Sequence, residues 1–127
     1  MADEPREGDQ PLPVPNNGPS MHDLVIEDLD RWPVRSSVRD GIRELLAERK
    51  RIGFERYGSY LQAGNQRDWL RDLREELADA LVYARQGLEE ADPVPVPDPG
   101  YAEVFRAYQR IMSALVHLQE IPEALNG

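Results

Sequence analysis

The chain has 127 residues, 24 acids against 15 bases and a formal net charge of -9. It is long enough for one domain-sized core, and its charge opposes the phosphate neutralisation on which general nucleic-acid binding depends, so duplex binding is not expected. With no cysteine and two histidines, His22 and His117, disulfides, thiolate zinc sites, cysteine nucleophiles and multi-histidine metal sites are excluded, leaving oxygen as the ligand for any metal.

Fourteen of the 15 bases are arginine, and Lys50 is the single lysine, which favours planar, bidentate pairing with carboxylates or phosphates. No apolar run approaches the ~20 residues that span a bilayer, and the first residues lack the basic start and apolar stretch of a signal peptide. A cytoplasmic protein without membrane contact is the expectation.

In chain order, residues 1–20 are rich in Pro, Gly and acids and carry little apolar surface to offset the entropy of ordering, so they read as a disordered tail. Residues 21–35 are more apolar, with Leu24, Val25, Ile26, Leu29 and Trp32. They read as a short helix or a strap ending before Pro33. Residues 36–127 form the helical domain. Its first helix starts after Ser36 or Ser37 as N-cap and runs from about Val38 to about Arg56. There Val38, Ile42, Leu45, Leu46 and Ile52 share one face at ~100° per residue.

Gly58 and Gly64 break the next stretch. A second helix is expected from Asn65, with Asp68 three residues on, to about Glu90. The segment ADPVPVPDPG holds four prolines in ten residues and reads as an extended connector. Asp98 and Pro99 then open a third helix running to about Gln119, with an apolar stripe of Val104, Phe105, Tyr108, Ile111, Met112, Leu115, Val116 and Leu118. The fold class is all-α, a small antiparallel helical bundle of three main helices. Its stripes are wide enough to suggest self-association.

The second helix carries the chemistry. Wound at ~100° per residue, Asp68, Asp72, Glu75, Glu76 and Asp79 fall within about 100° of arc, beside the apolar sector of Trp69, Leu73, Leu77, Ala80, Leu81 and Ala84. Carboxylates at this spacing repel by some tenths of a kcal/mol per pair. A divalent ion turns that repulsion into ligation, and magnesium needs only a few carboxylates if waters and substrate phosphates complete its shell. The competing reading is a solvated acidic face, with Asp68 and Asp72 favoured simply by the helix N-terminus.

Residues 51–90, RIGFERYGSYLQAGNQRDWLRDLREELADALVYARQGLEE, resemble small phage-type members of the all-α MazG-like nucleoside triphosphate pyrophosphohydrolases. In these an RYG and LQ segment precedes a helix bearing an EExxD element. The matching positions are Arg56, Tyr57, Gly58, Leu61, Gln62 and Asn65, then Glu75, Glu76 and Asp79.

The resemblance implies magnesium, or manganese in its place, and hydrolysis of (deoxy)nucleoside triphosphates to monophosphate and pyrophosphate by a homodimer or homotetramer. It implies Glu76 and Asp79 as metal ligands, with Glu75 as ligand or base. The family generally uses two acidic pairs. This chain shows one clearly, and Glu48, with Glu44 behind it, is the candidate for the other. Phosphate contacts fall to Lys50, Arg56 and Arg67, and base contacts to Tyr57, Tyr60, Gln62 and Asn65. Each has a plainer reading: surface ion pairs for the bases, packing of the interhelical turn for the tyrosines, a helix cap for Asn65.

His22-Asp23 lacks the further histidines of an HD phosphohydrolase, and no glycine-rich phosphate loop, GxSxG elbow or dinucleotide fingerprint is present. The alternative of a different class is a non-catalytic helical interaction protein that binds a protein partner through its acidic face or N-terminal strap.

Overall fold

The computed structural model describes residues 10–91 and 99–122. Among them the only regular elements are four helices: α1, Met21–Asp30; α2, Ser36–Tyr57; α3, Trp69–Ala91; and α4, Pro99–Gln119. The chain divides into two compact units, Met1–Arg67 and Asp68–Gly127. None of these helices is long and apolar enough to cross a membrane.

There are four helices where the sequence suggests three main ones, because residues 21–30 settle as helix rather than strap. The cause is local: Ser20 is buried and its hydroxyl accepts from the Asp23 N–H at 3.4 Å, capping α1. The chain turns at Arg31–Trp32, and α2 comes back antiparallel to α1. Asp30 pairs with Arg43 near the turn, and Asp23 pairs with Lys50 a further two helical turns along. Neither Ser36 nor Ser37 caps α2; both lie inside it, and the N-cap is Arg35, which makes no side-chain cap. At the other end Gly58, at φ 73°, sends its N–H to the Phe54 carbonyl at 2.8 Å. Only a residue without Cβ takes that left-handed turn at no steric cost.

Apolar burial in this unit is slight. Leu29 is buried, whereas no residue of α2 is. Polar contacts carry more of the connection, and Arg39 is the main one. Its guanidinium reaches the carbonyls of Trp32 at 2.7 Å, Val34 at 3.2 Å and Leu29 at 3.3 Å, tying the last turn of α1 and the linker after it to the first turn of α2. Replacing Arg39 by methionine keeps the aliphatic stem and removes three charge-assisted bonds, while the Leu29 and Trp32 carbonyls keep their main-chain donors, Trp32 N–H and Val34 N–H. A loss of about 1–3 kcal/mol is expected in urea unfolding, and Arg39→Lys should restore only part of it because an ammonium lacks the planar fork.

Residues 10–20, which composition places in a disordered tail, are held against the loop that follows α2. Two of the bonds are main chain to main chain, Val14 N–H to the Asn65 carbonyl at 2.9 Å and Met21 N–H to the Leu61 carbonyl at 2.8 Å, and the others run through the side chains of Asn16, Gln62 and Arg67. The compositional argument weighs only apolar burial, and Leu12 and Val14 are indeed exposed. Hydrogen bonding supplies the tether instead. Residues 1–9 lie outside the described part.

In the second unit the α3 cap is Asp68, whose carboxylate accepts from the Arg71 N–H at 3.0 Å while its carbonyl accepts from Asp72 N–H at 3.1 Å. The helix therefore starts at Trp69, four residues later than the sequence suggests, and Asn65 serves the preceding turn. α4 runs antiparallel to α3. Arg74, near the start of α3, donates to the Leu118 and Ile121 carbonyls at 2.7 and 3.4 Å, past the far end of α4. Gly87, near the end of α3, faces Val104 early in α4. Leu70 and Leu88 are buried on the inner face of α3. The connector at 92–98, with the expected cap Asp98, lies outside the described residues.

Candidate functional site

On α3 the acidic stripe is not uniform. Glu75 accepts from Arg71 Nε at 3.0 Å, one turn back. Asp68 is committed to the helix cap, and Asp72 is half-buried with an interaction of its own. Glu76 and Asp79 differ. Both are exposed, they stand three residues apart on adjoining turns, and neither makes a hydrogen bond or ion pair among the described residues. Two hard oxygen donors one turn apart fit magnesium, which fills its remaining positions with water and phosphate oxygens. Among the described residues no three His, Asp or Glu side chains already converge as a metal cage.

The α2 acids belong to the first unit. Arg51 donates to both Glu48 oxygens and, at 2.6 Å, to Glu55. Those bonds hold the Glu48 carboxyl below the ordinary carboxylate range and raise the guanidinium's own pKa. Glu48 is thus already paired along its own helix. Glu44, a turn earlier, is exposed.

The candidate phosphate and base contacts gather at the C-terminal end of α2 and the loop after it. Lys50 is half-buried, bonded to Asp23 at 2.9 Å, and its ammonium stands 4.6 Å from the centre of the Tyr60 ring. Phe54 lies on the same ring, centroids 4.7 Å apart and planes tilted by 37°. Arg56 sits over Tyr57 at 5.3 Å. Two cations on two aromatic faces are a cation–π arrangement, with the rings of Tyr57 and Tyr60 more than two-fifths exposed. Lys50 and Tyr60 are therefore brought together, as are Arg56 and Tyr57.

Gln62, Asn65 and Arg67 line the loop and meet the N-terminal segment. Gln62 accepts from Asn16 N–H at 3.0 Å and donates to the Asn16 and Gly18 carbonyls, each at 2.7 Å. Asn65 is buried, its side-chain oxygen taking the Arg67 N–H at 3.1 Å across Gln66, which adopts φ 67°. The Arg67 guanidinium donates to the Pro11 carbonyl at 2.7 Å.

Three residues of this region escape a reading of local spacing. Asp23 and Phe54 join the Lys50–Tyr60 cluster, and Asn16 anchors the N-terminal segment, residues 11–19, a strap distinct from the 21–35 stretch. The Lys50–Asp23 pair spans 27 residues, beyond any helical repeat. Asn16 did carry a signal, since Asn-x-Gly favours a side-chain turn, and its Oδ1 accepts from Gly18 N–H at 2.7 Å.

His22 lies at the edge of this cluster. Its Nδ1 is buried without a partner among the described residues. Burial first, then the charge of Lys50 and more weakly that of Arg49, lower its pKa below 6.5, while Asp23 opposes the shift. The folded state therefore prefers the neutral ring. Its contribution is complete above pH 6.5 and is lost as pH falls through the lowered folded value. Thermal melting of His22→Gln against the parent from pH 8 to 5 should show a shallower acid decline for the variant. Parallel curves would mean that His22 does not distinguish folded from unfolded chain.

Comparison of the chain with protein-family models, with curated proteins and with solved structures gives no match.

Proposed function

We propose that this chain is a magnesium-dependent nucleoside triphosphate pyrophosphohydrolase of the MazG-like kind, acting in the cytoplasm as a homodimer or homotetramer. The observation that carries this reading is the contrast along α3. Glu75 is balanced by Arg71, while Glu76 and Asp79 remain exposed and unbalanced on neighbouring turns. A solvated face gains from balancing such charges, and a metal site needs them left open. The family resemblance of residues 51–90 supports the same assignment.

In this reading Glu76 and Asp79 hold magnesium, and manganese can replace it. An ion held there would supply positive charge to phosphate oxygens and acidify a water. Glu75 would orient or deprotonate the attacking water, with Arg71 fixing its carboxylate. Lys50, Arg56 and Arg67, which belong to the first unit, are the candidates for phosphate contacts, and Tyr57 and Tyr60 for stacking on a base. Glu48 and Glu44, in the first unit, remain the candidates for a second acidic pair, and Glu48 would have to give up Arg51 to bind a metal ion.

The test is pyrophosphate release by the intact chain over a panel of ribo- and deoxynucleoside triphosphates, with magnesium and with chelator. Release that needs the metal, with monophosphate formed in equal amount, is expected. No release from any nucleotide would overturn the proposal.

The second reading, a helical protein that binds a protein partner, draws on a different observation. Val82 and Tyr83, consecutive on α3, are more than three-fifths exposed, and large apolar side chains left open side by side mark contact surfaces.

A further inference from the structure

Two of the side chains assigned above to nucleotide contacts, the Gln62 carboxamide and the Arg67 guanidinium, are bonded to the main chain of residues 11–18, and the Asn65 main-chain carbonyl beside them accepts from Val14 N–H. The Gln62 contact is the informative one. Its oxygen accepts the N–H and its nitrogen donates to the carbonyl of one and the same residue, Asn16. A carboxamide reads the edge of a nucleobase with this same adjacent donor and acceptor pair.

The strap is also built to leave. Its bonds to Gln62, Ala63 and Arg67 lie at the exposed surface, where water competes for every donor and acceptor. Leu12 and Val14 are exposed and hold nothing down. Within the segment one main-chain bond, Val14 N–H to the carbonyl of the buried Asn65, is the firmer tie, and beyond it attachment strengthens at Ser20, buried and capping α1, and at Met21, whose N–H meets the Leu61 carbonyl. A segment with several solvent-facing hydrogen bonds and little apolar burial belongs to the low end of local stability. Residues 11–19 can therefore lift while α1 stays docked.

We propose that residues 11–19 are a self-supplied peptide occupant of the Gln62–Arg67 ledge that a nucleobase must displace, so that the chain restrains its own nucleotide binding. The inference rests on the assignment of Gln62, Asn65 and Arg67 to nucleotide contacts. Apparent affinity falls in proportion to the fraction of molecules with the strap lifted. Loosening the strap thus tightens nucleotide binding and leaves the chemical step alone.

The experiment uses the full chain and two readouts. Amide hydrogen exchange is followed at Val14 and Asn16 with and without a saturating non-hydrolysable α,β-imido nucleoside triphosphate and magnesium. In parallel, KM and kcat are measured for the parent and for Asn16→Ala, which deletes the side-chain bonds to Ala63 and Gly18. Exchange at both amides should accelerate about tenfold or more with the analogue, and Asn16→Ala should lower KM about threefold or more at constant kcat. Turnover with unchanged exchange and unchanged KM overturns the strap inference and leaves the enzyme reading standing. Absent turnover overturns the enzyme reading, and the exchange arm still decides the strap: acceleration by the analogue supports it, and continued protection overturns it.

Discussion

Leu70→Ala is expected to lower unfolding stability by about 2–5 kcal/mol, the largest single-site loss among the described residues. Leu70 is 0 % exposed, the most deeply buried side chain among the described residues, and it sits in the first turn of α3. Its removal leaves a hole beside the Asp68 cap and the Arg74 tether to the far end of α4, two polar devices that hold neighbouring backbone in place and limit collapse into the space. A domain of this size has only about 5–15 kcal/mol to lose, so the variant should be partly unfolded near 37 °C. Urea unfolding followed by circular dichroism measures the loss. Val82→Ala on the same helix is the control: Val82 is 67 % exposed, and alanine is the better helix former, so its change should stay within about 0.5 kcal/mol or favour the fold. Equal losses for the two variants would contradict the burial on which the argument rests.

What could be read from the residues divides along the range of the forces involved. Helices α2, α3 and α4 follow from a period near 3.6, a signal carried by neighbours three and four apart, and their ends fall within a few residues of expectation. The start of α3 missed because Asn65 and Asp68 are both good caps. Local preference cannot choose between them. The choice goes to Asp68 because Asn65 is buried in a turn where its carbonyl already receives Val14. The strap is illegible for the same reason. Its partners Gln62 and Ala63 are more than forty residues away, beyond the reach of any local repeat.

The candidate site divides in the same way. Glu75, Glu76 and Asp79 share a helix, so their common face was predictable, and so was an Arg71–Glu75 pair at i,i+4. The consequence, that Glu75 differs from its two neighbours, appears only when the rotamers are seen together. Lys50 over Tyr60 depends on how the loop returns past Phe54, a matter of tertiary packing. The pairing of Glu48 with Arg51 instead of a distant carboxylate partner was within reach of the i,i+3 rule.

Glu76→Gln and Asp79→Asn should each lower magnesium-dependent pyrophosphate release by about a hundredfold or more, since each deletes one of two anionic ligands without changing side-chain volume. Glu75→Gln should fall less if Glu75 only orients water, and comparably if it is the base. Stability should move the other way. Both exposed carboxylates sit among other acids without a balancing cation among the described residues, so neutralising either relieves repulsion and should stabilise the metal-free helix by a few tenths of a kcal/mol. Added magnesium should raise the melting temperature of the parent and leave both variants unchanged, because only a site present in the folded state couples binding to stability. The opposed signs separate a working site from a solvated face. A merely decorative carboxylate, once neutralised, gives a chain of equal or greater stability with undiminished turnover; a ligand gives a chain that is no less stable and nearly inert.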